Sequence, residues 1–319
     1  MSNRNWRPSA SIENLKARAR IIQNIRAFFD HRAVIEVETP ALDHFGVTDP
    51  YLNSMVVKAF SENQTHKYLQ TSPEYAMKRL LAAGFGDCYQ ICKAFREDET
   101  GKYHQSEFTI LEWYRLNFSD QDLIIETDHF LQQILGTAKA ESITYQAVFI
   151  KFLQIDPVNC SLAELQRLSK KHTTLNTDLE TKEDYLMWLF SQCIESEIAN
   201  EKPCFVTSFP AAQASLSRVD PNNQKLSCRF EVYFKGVELG NGFYELNQAD
   251  EQLQRFQNNV QKRQLLNKPK MAIDNRLIDA LKYGLPDCSG IAMGIDRLIM
   301  LALKAESIQE VMSFSDKSS

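Results

Sequence analysis

Several features that mark special classes of protein are missing from this chain of 319 residues. Its seven cysteines form no Cys-x-x-Cys pair and no Cys/His ligand spacing, which argues against a structural zinc site and suits a reducing compartment. No segment approaches the roughly 18 apolar residues of a membrane span, and no apolar signal-peptide region follows the first Met. We therefore expect a soluble, cytoplasmic protein.

An excess of positive charge is missing as well. The chain has 36 Lys and Arg against 41 Asp and Glu, a formal net charge of -5. Gripping a nucleic-acid backbone needs a basic face, so we do not expect tRNA as a partner. The short basic pairs Lys170-Lys171 and Lys262-Arg263 are interpreted as solvated helix faces.

Linkers rich in Pro, Gly or Ser, internal repeats and low-complexity tracts are also absent. With 44% hydrophobic and 24% charged residues, the chain should bury a sizeable core. We expect one α+β domain over residues 1–319, with a mostly antiparallel sheet flanked by helices. Apolar spacing predicts helices at 12–32, 73–83, 120–136, 161–172, 181–199 and from about 297, and strands at 34–40, 89–95, 107–114, 205–209, 229–234 and 237–246.

The segment Phe95-Arg96-Glu97-Asp98 puts an arginine at the end of one predicted strand, and Phe108 lies near the start of the next. The planar guanidinium of an arginine can hold an α-phosphate through two hydrogen bonds, and an aromatic ring can support a purine base. The alternative is a surface loop with ordinary charges. From these residues alone, both interpretations stay open.

A second group of polar residues lies on the predicted strand 229–234. Alternate residues of a strand share a face, so Arg229, Glu231 and Tyr233 point one way. Beyond the Lys235-Gly236 turn, Glu238 can return beside Glu231. Two converging carboxylates suit Mg²⁺, which takes few protein ligands and completes its shell with phosphate oxygens and water. The alternative is the polar solvent face of an antiparallel hairpin.

The third group is the run of residues 289–298, where small residues at 290, 292 and 294 let the backbone approach a ligand closely. Arg297, which follows this run, could hold a terminal phosphate. Small residues precede many ordinary helices, so this run has meaning only in combination with the other two groups.

The three groups, in this order, resemble the motifs of class II aminoacyl-tRNA synthetases. Val37-Glu38-Thr39-Pro40 resembles motif 1, the Arg96 segment with residues 104–108 resembles motif 2, and residues 290–297 resemble motif 3. Within this class the chain is most similar to lysyl-tRNA synthetases, through Thr71-Ser72-Pro73-Glu74 and residues 107–114 and 238–246.

Only about 30 residues precede motif 1, too few for the anticodon-binding OB-fold of lysyl-tRNA synthetases, so we expect a stand-alone catalytic domain. In this respect the chain is similar to the ligases that attach (R)-β-lysine to a lysine of elongation factor P, with particular likeness at residues 72–81, 111–114 and 289–292. The resemblance implies that ATP and Mg²⁺ are used to activate (R)-β-lysine, and α-lysine less well, as an aminoacyl-adenylate that is transferred to elongation factor P.

The resemblance also implies roles for individual residues. Arg96 and Arg297 are implied to be catalytic and to face phosphate charge, while Glu231 and Glu238 are implied to be Mg²⁺ ligands. The residues implied to contact ATP are Arg96, Glu97, Asp98, His104, Gln105, Phe108, Glu238, Leu239, Gly294 and Arg297. Those implied to contact the amino acid are Ser72, Pro73, Glu74, Glu112, Tyr114, Asn241, Phe243, Glu245 and Ala292.

The chain departs from the pattern of lysyl-tRNA synthetases at a few positions. Their Arg-Asn-Glu is Arg96-Glu97-Asp98 here, so the adenine contact falls to the shorter Asp98, and their His-Asn-Pro-Glu-Phe has Gln105 and Ser106. Ala292 stands where they have glycine. A methyl group there narrows the space near the carboxylate and its neighbouring amine, so we expect a β-amino acid whose amine pairs with Glu74.

Two alternatives remain. One is a truncated lysyl-tRNA synthetase paralogue that charges tRNA or another acceptor, and the other is a non-catalytic, synthetase-like regulatory subunit. Retention of the motif arginines and of both metal carboxylates disfavours the second. Since motif 1 supplies a helix and strand of a two-fold interface in this class, we also expect a homodimer through residues 12–40.

Overall fold

The structure, a computed structural model, describes residues 6–58, 66–97, 101–172 and 179–315. Backbone proximity groups the chain into two units, which are described separately: unit 1 is Met1–Asn117 with Asn247–Ser319, and unit 2 is Phe118–Leu246. The prediction of a single domain over residues 1–319 is not tested by this grouping and stays a prediction.

The bounds of the elements in the described residues are as follows. The helices are α1 (Ile12–Asp30), α2 (Glu74–Ala82), α3 (Asp120–Leu135), α4 (Tyr145–Leu153), α5 (Leu162–His172), α6 (Lys182–Cys193), α7 (Ala249–Leu265), α8 (Asn275–Gly284) and α9 (Ile295–Ala302). The strands are β1 (Ile35–Glu36), β2 (Leu42–Asp43), β3 (Val56–Val57), β4 (Lys67–Leu69), β5 (Cys88–Phe95), β6 (Glu107–Leu116), β7 (Glu141–Thr144), β8 (Cys204–Thr207), β9 (Val219–Asp220), β10 (Asn223–Ser227), β11 (Arg229–Phe234), β12 (Val237–Tyr244) and β13 (Cys288–Gly294). In the part of the chain that the structure describes, no helix combines the length and the apolar character that crossing a membrane requires.

The main strands of unit 1 are β5, β6 and β13, paired antiparallel, with the two-residue β1 added in parallel to β5. The register of β6 runs from Glu107, opposite Phe95, to Tyr114, opposite Cys88. The core of β6 is buried on both faces, as Leu111 at 0% and Glu112 at 2% exposure show. A strand buried on both faces has a nearly continuous apolar sequence, which in β6 is interrupted by a few polar residues. Those polar residues are therefore candidates for function.

Unit 2 contains the strands β12, β11 and β8, paired antiparallel, and β7 in parallel with β8. The β11–β12 connection is the turn Lys235-Gly236, where both residues have positive φ (52° and 68°). Such a turn matches the right-handed twist of a hairpin. Behind β8 and β11, the helices α4 and α6 enclose a core of aromatic side chains, among them Tyr145, Phe149, Phe190, Phe209 and Tyr233.

The predicted α+β class, with mostly antiparallel strands and flanking helices, is confirmed. Helix α1 begins at the predicted N-cap, where the Ser11 side chain accepts a hydrogen bond from the Asn14 N–H. The predicted capping box of α5 also forms, because the Ser161 N–H and hydroxyl donate to Glu164.

Several local predictions are wrong. The strand expected at 34–40 covers only Ile35–Glu36, which among the described strands pairs with β5 alone. No strand was predicted at residues 288–294, which form strand β13 because they pair with residues 110–116 of β6. The helix expected at 181–199 ends at Cys193, with a 3-10 turn at Glu195–Glu197 and positive φ at Ala199. Helices α4, α7 and α8 were not predicted.

Arg263 corrects another expectation, since it is not on a solvated face. Its side chain is 0% exposed and donates to the carbonyl oxygens of Pro269, Asp49 and Leu52, at 2.9, 2.7 and 2.9 Å. A guanidinium has five N–H donors, so a buried arginine can satisfy several loop carbonyls at once. Arg263 therefore fastens the loop around residues 49–52 to α7.

Candidate active site

Arg96 and Phe108 lie together in unit 1, where β5 passes into β6. The Arg96 N–H donates to the Ser106 carbonyl oxygen at 2.9 Å, which closes the base of the loop. The guanidinium carbon of Arg96 lies 5.1 Å from the centre of the Phe108 ring. A cation at this distance from a ring centre is attracted electrostatically to the ring, so the contact holds these two predicted ATP residues side by side.

Two more predicted ATP residues border this loop and one lies outside the described residues. Gln105 is buried, at 4% exposure, whereas Glu97 is exposed and donates its N–H to the Asn53 carbonyl oxygen at 3.2 Å. Asp98 lies outside the described residues. The adenine role predicted for Asp98 stays a prediction.

Arg297 reaches the same loop from the first turn of α9. Its Nε donates to the Tyr103 carbonyl oxygen at 3.1 Å, and its Nη2 lies 2.6 Å from His104 Nε2. Since a guanidinium only donates, this ring nitrogen accepts, and the His104 proton is then on Nδ1. A Cβ built on Gly294 would lie 3.6 Å from Cδ of Arg297, which is an ordinary van der Waals contact. The motif 2 and motif 3 residues of unit 1 are thus brought together.

A row of polar and small residues crosses the strands of unit 1. Gln90 in β5 and Ala292 in β13 both lie directly opposite Glu112 in β6, so the three side chains share one face of the sheet. The Tyr114 hydroxyl donates to Glu112 Oε1 at 2.6 Å, and both residues are 2% exposed. The predicted neighbours Glu112, Tyr114 and Ala292 are therefore brought together, with Gln90 beside them.

Gln90 was not among the predicted site residues. It is 3% exposed, and its Oε1 accepts from the Thr39 hydroxyl at 2.9 Å. Its signal in the sequence was a polar residue at an alternate position within an otherwise apolar strand.

Ser72, Pro73 and Glu74 lie at the start of α2. Ser72 and Pro73 line a pocket with the neighbouring loop that contains Phe45 and Gly46. The Glu74 carboxylate accepts from Lys78 Nζ at 2.6 Å, and Lys78 is 1% exposed. Lys78 was missed, although its signal was the helical Glu-x-x-x-Lys spacing.

In unit 2, Glu231 is the centre of a hydrogen-bonded cluster on the hairpin of β11 and β12. Its two carboxylate oxygens accept from Arg229 Nη2 and from the Tyr233 hydroxyl. Arg229 also donates to Asn241 Oδ1 at 3.1 Å and to the Gln213 carbonyl oxygen at 2.7 Å. The shared face predicted for Arg229, Glu231 and Tyr233 is confirmed, while the orienting role of Arg229 was not foreseen.

The carboxylates of Glu231 and Glu238 are close enough to interact electrostatically. Burial raises the pKa of Glu231, the adjacent Arg229 opposes this, and the negative charge of Glu238 raises it further. Two like charges on one hairpin are stabilised by a shared cation, and carboxylate oxygens are the donors that Mg²⁺ prefers. Clusters of three or more His, Cys, Asp or Glu residues that could hold a metal ion do not occur among the described residues.

Glu245 lies at the end of β12 with 1% exposure. Its backbone is held by the segment before β9: its carbonyl oxygen accepts from Arg218 Nε at 2.6 Å, and it pairs with Ser217. Leu239 and Phe243, on the same strand, are buried at 1% and 8% exposure. The unit 2 residues predicted for the site therefore all lie on β11, β12 or the residue next to β12.

Comparison with curated proteins finds similarity along almost the whole chain. The relatives include proteins named elongation factor P–(R)-β-lysine ligase from Pasteurella multocida (48% identical over 313 residues, 97% of each chain) and from Photorhabdus laumondii (48% over 316 residues, 98% of this chain and 97% of the relative). Another with this name, from Avibacterium paragallinarum, is 46% identical over 318 residues, 99% of each chain.

The family model described as tRNA synthetases class II (D, K and N) matches residues 4–318. This range includes the three motif segments and all the candidate residues above. The chain therefore belongs to the class II tRNA synthetase family that comprises the D, K and N enzymes.

Proposed function

We propose that this protein uses ATP to activate (R)-β-lysine, and α-lysine less well, as an aminoacyl-adenylate, and transfers the aminoacyl group to a lysine side chain of elongation factor P. The observation that carries the proposal is the 46–48% identity, over 97–99% of the chain, to relatives named as elongation factor P–(R)-β-lysine ligases. The grouping of Arg96, His104, Phe108 and Arg297 in unit 1 supports ATP use.

In the first step, a carboxylate oxygen of the amino acid attacks the α-phosphorus of ATP in line, and the bond to pyrophosphate breaks. The carboxylate is already ionised, so no general base is required and catalysis comes from positioning and charge neutralisation. Arg96 stabilises the negative charge at the α-phosphate, and Arg297 holds the departing pyrophosphate end. Glu231 and Glu238 would hold Mg²⁺, which supplies further neutralisation of phosphate charge.

In the second step, the acceptor lysine amine attacks the acyl carbon and AMP leaves. A free lysine amine has a pKa of about 10.4, so it must lose a proton before it attacks. The leaving AMP is stabilised by the cation already placed at its phosphate, Arg96. Transfer to a protein amine needs no anticodon recognition, which agrees with the excess of acidic over basic residues in the chain.

The far end of the substrate carries an ammonium group. Glu245 and Tyr114 are assigned to it, with Glu112 orienting Tyr114 through the 2.6 Å hydrogen bond. Buried carboxylates are costly without a cation, so a neutral side chain of the same shape should be rejected.

Ala292 is assigned to the choice between β- and α-amino acids. Its methyl group lies on the face of the sheet shared with Glu112. Glu74 is assigned to the substrate amine that lies near the substrate carboxylate. The Glu74 side chain is itself held in place by Lys78. One methyl group contributes roughly 1–3 kcal/mol of discrimination, so α-lysine should remain a poor substrate and not an inert one.

We further propose that the protein is cytoplasmic and acts as a homodimer. The exposed side of α1 and the exposed edge strand β1, where Ile35 is 55% exposed, support the assignment of residues 12–40 to the two-fold interface.

The experiment that tests the activation step is amino-acid-dependent ATP–pyrophosphate exchange over (R)-β-lysine, (S)-β-lysine, α-lysine, arginine and ornithine. Wild-type protein should prefer (R)-β-lysine, and Ala292→Gly should shift the preference toward α-lysine by about tenfold or more. A wild-type preference for α-lysine would contradict the β-amino acid assignment and favour the tRNA-charging alternative.

A further inference from the structure

A buried ion pair lies directly behind the ATP-contact residues of unit 1. Arg18 Nη1, from the middle of α1, lies 2.7 Å from Asp296 Oδ1, in the first turn of α9. The exposed fractions of the two side chains are 15% and 4%. The resemblance to the synthetase motifs implies no role for Arg18 or Asp296.

The same pair also holds strand β6. Asp296 Oδ2 accepts from the Thr109 N–H at 2.7 Å, and Arg18 Nη2 donates to the Thr109 hydroxyl at 2.9 Å. Arg18 Nη1 donates in addition to the Val311 carbonyl oxygen at 3.2 Å. The guanidinium fork and the carboxylate therefore connect α1, β6, α9 and the C-terminal 3-10 turn through one set of contacts.

The chain neighbours of this set give it a functional meaning. Thr109 directly follows Phe108, the residue assigned to the adenine, and Asp296 directly precedes Arg297, the residue assigned to the pyrophosphate end. The two ends of the nucleotide are thus contacted from backbone that one ion pair fixes. A displacement of either backbone would move Phe108 and Arg297 relative to each other.

We propose that Arg18 is a positioning residue for ATP: through Asp296 and Thr109 it sets the spacing between the adenine contact and the pyrophosphate contact. The inference rests on the ATP use in the proposed function. A planar fork is required because Arg18 donates to two acceptors, the Thr109 hydroxyl and the Val311 carbonyl oxygen, and at the same time keeps its ion-pair contact with Asp296. A lysine ammonium on a flexible chain does not reproduce this arrangement. Arg18 does not contact substrate and acts only through its partners.

The test compares Arg18→Lys and Asp296→Asn with wild type. Arg18→Lys keeps the buried cation opposite Asp296, so the variant should fold, and Asp296→Asn keeps the acceptor for the Thr109 N–H. The matched control is Arg26→Lys on the same helix, where Arg26 pairs with Glu36 at a more exposed site. Thermal unfolding is recorded for every variant.

The primary measurement is the Kd of ATP by calorimetry, which does not depend on the amino acid or the acceptor. Both variants should weaken ATP binding by about tenfold, the effect of loosening one charge-assisted contact, and Arg26→Lys should leave it within twofold. In pyrophosphate exchange the KM for ATP should rise by the same factor. The KM for the lysine-like substrate should stay within twofold of the wild-type value. The double variant should bind ATP no more weakly than the worse single variant, because both changes break one pair.

Unchanged ATP affinity in folded Arg18→Lys and Asp296→Asn would overturn the inference, as would a fall in melting temperature alone. An equal rise in both KM values would also overturn it, since that indicates general loosening. If wild-type protein binds ATP but none of the tested amino acids supports pyrophosphate exchange, the proposed function fails. The change in the Kd of ATP still decides the role of Arg18.

Discussion

Gly242 provides a sharp test of the packing in the hairpin that carries Glu231 and Glu238. It lies in β12 directly opposite Phe230 of β11. A Cβ added at Gly242 would lie 2.3 Å from Cζ of the Phe230 ring and 2.7 and 2.8 Å from its two ε carbons. Real Cβ contacts below 3.0 Å are essentially never seen, so Gly242→Ala requires movement.

The size of the effect follows from how little Phe230 can move. The ring must retreat by about 1.1 Å to reach the 3.4 Å of ordinary contact (3.4 − 2.3). It is 0% exposed and packs edge-on against Phe205, with ring centres 6.0 Å apart. Overpacking of this kind costs about 1–3 kcal/mol, which exceeds the roughly 0.4–1 kcal/mol that a glycine-to-alanine change gains by restricting the unfolded chain. We expect a net loss of about 1–2 kcal/mol.

The assay is urea unfolding of wild type, Gly242→Ala and the control Gly101→Ala, whose added Cβ meets no atom of the described residues within 4 Å. Gly101→Ala should change the free energy of unfolding by less than about 0.5 kcal/mol. In a Phe230→Leu protein, Gly242→Ala should lower the free energy of unfolding by less than it does in wild type, because the ring that the new methyl group would collide with is gone. A Gly242→Ala protein as stable as wild type would refute the reasoning.

The remaining predictions concern the site and the assembly. Arg96→Ala and Arg297→Ala should each lower pyrophosphate exchange by about 10²–10³-fold with an unchanged melting temperature, and near-normal exchange would remove the assigned role. Wild type should reject norleucine by about 10²-fold or more and Glu245→Gln should lose most of this discrimination, whereas equal activation of norleucine and lysine by wild type would contradict the ammonium site. Sedimentation at micromolar concentration should give a dimer through Ile12–Asp30 and the adjoining strand, and a monomer would count against it. Burial raises the pKa of Cys92 to about 12, so its thiol is protonated at pH 8. Iodoacetamide should therefore alkylate Cys92 about a hundredfold or more slowly than free cysteine. Rapid labelling of Cys92 in the folded protein would show that the segment around it opens.

The sequence predicted those elements whose signal is local. Helix α1 and strand β11 appear close to the expected positions because apolar periodicity, caps and the Lys-Gly turn are visible without knowledge of distant partners. Strand β13 was not predicted because small residues alone favour no element. It forms a strand through its pairing with β6, which lies far away in the chain. Helix α7 was missed because its composition is mostly polar, even though Phe256 is buried.

The site could be predicted only in part for the same reason. Motif residues such as Arg96 and Arg297 stand out by residue type and order. Residues that orient them from other elements do not: the Arg18–Asp296 pair joins positions far apart in the chain, and no short-range pattern connects them. Closer pairs differ: the spacing of Glu74 and Lys78 and the shared strand face of Arg229 and Glu231 are local patterns, although the side-chain contacts are needed to show that the residues pair.

Modification of elongation factor P is measured directly by the intact mass of the purified factor after incubation with this protein, ATP, Mg²⁺ and (R)-β-lysine. The account predicts a mass gain of one β-lysyl group on a lysine of the factor, dependent on ATP, absent with Arg96→Ala and smaller with α-lysine. No mass gain on elongation factor P under conditions in which wild-type protein forms the adenylate would contradict the account, as would transfer of the aminoacyl group to tRNA in its place.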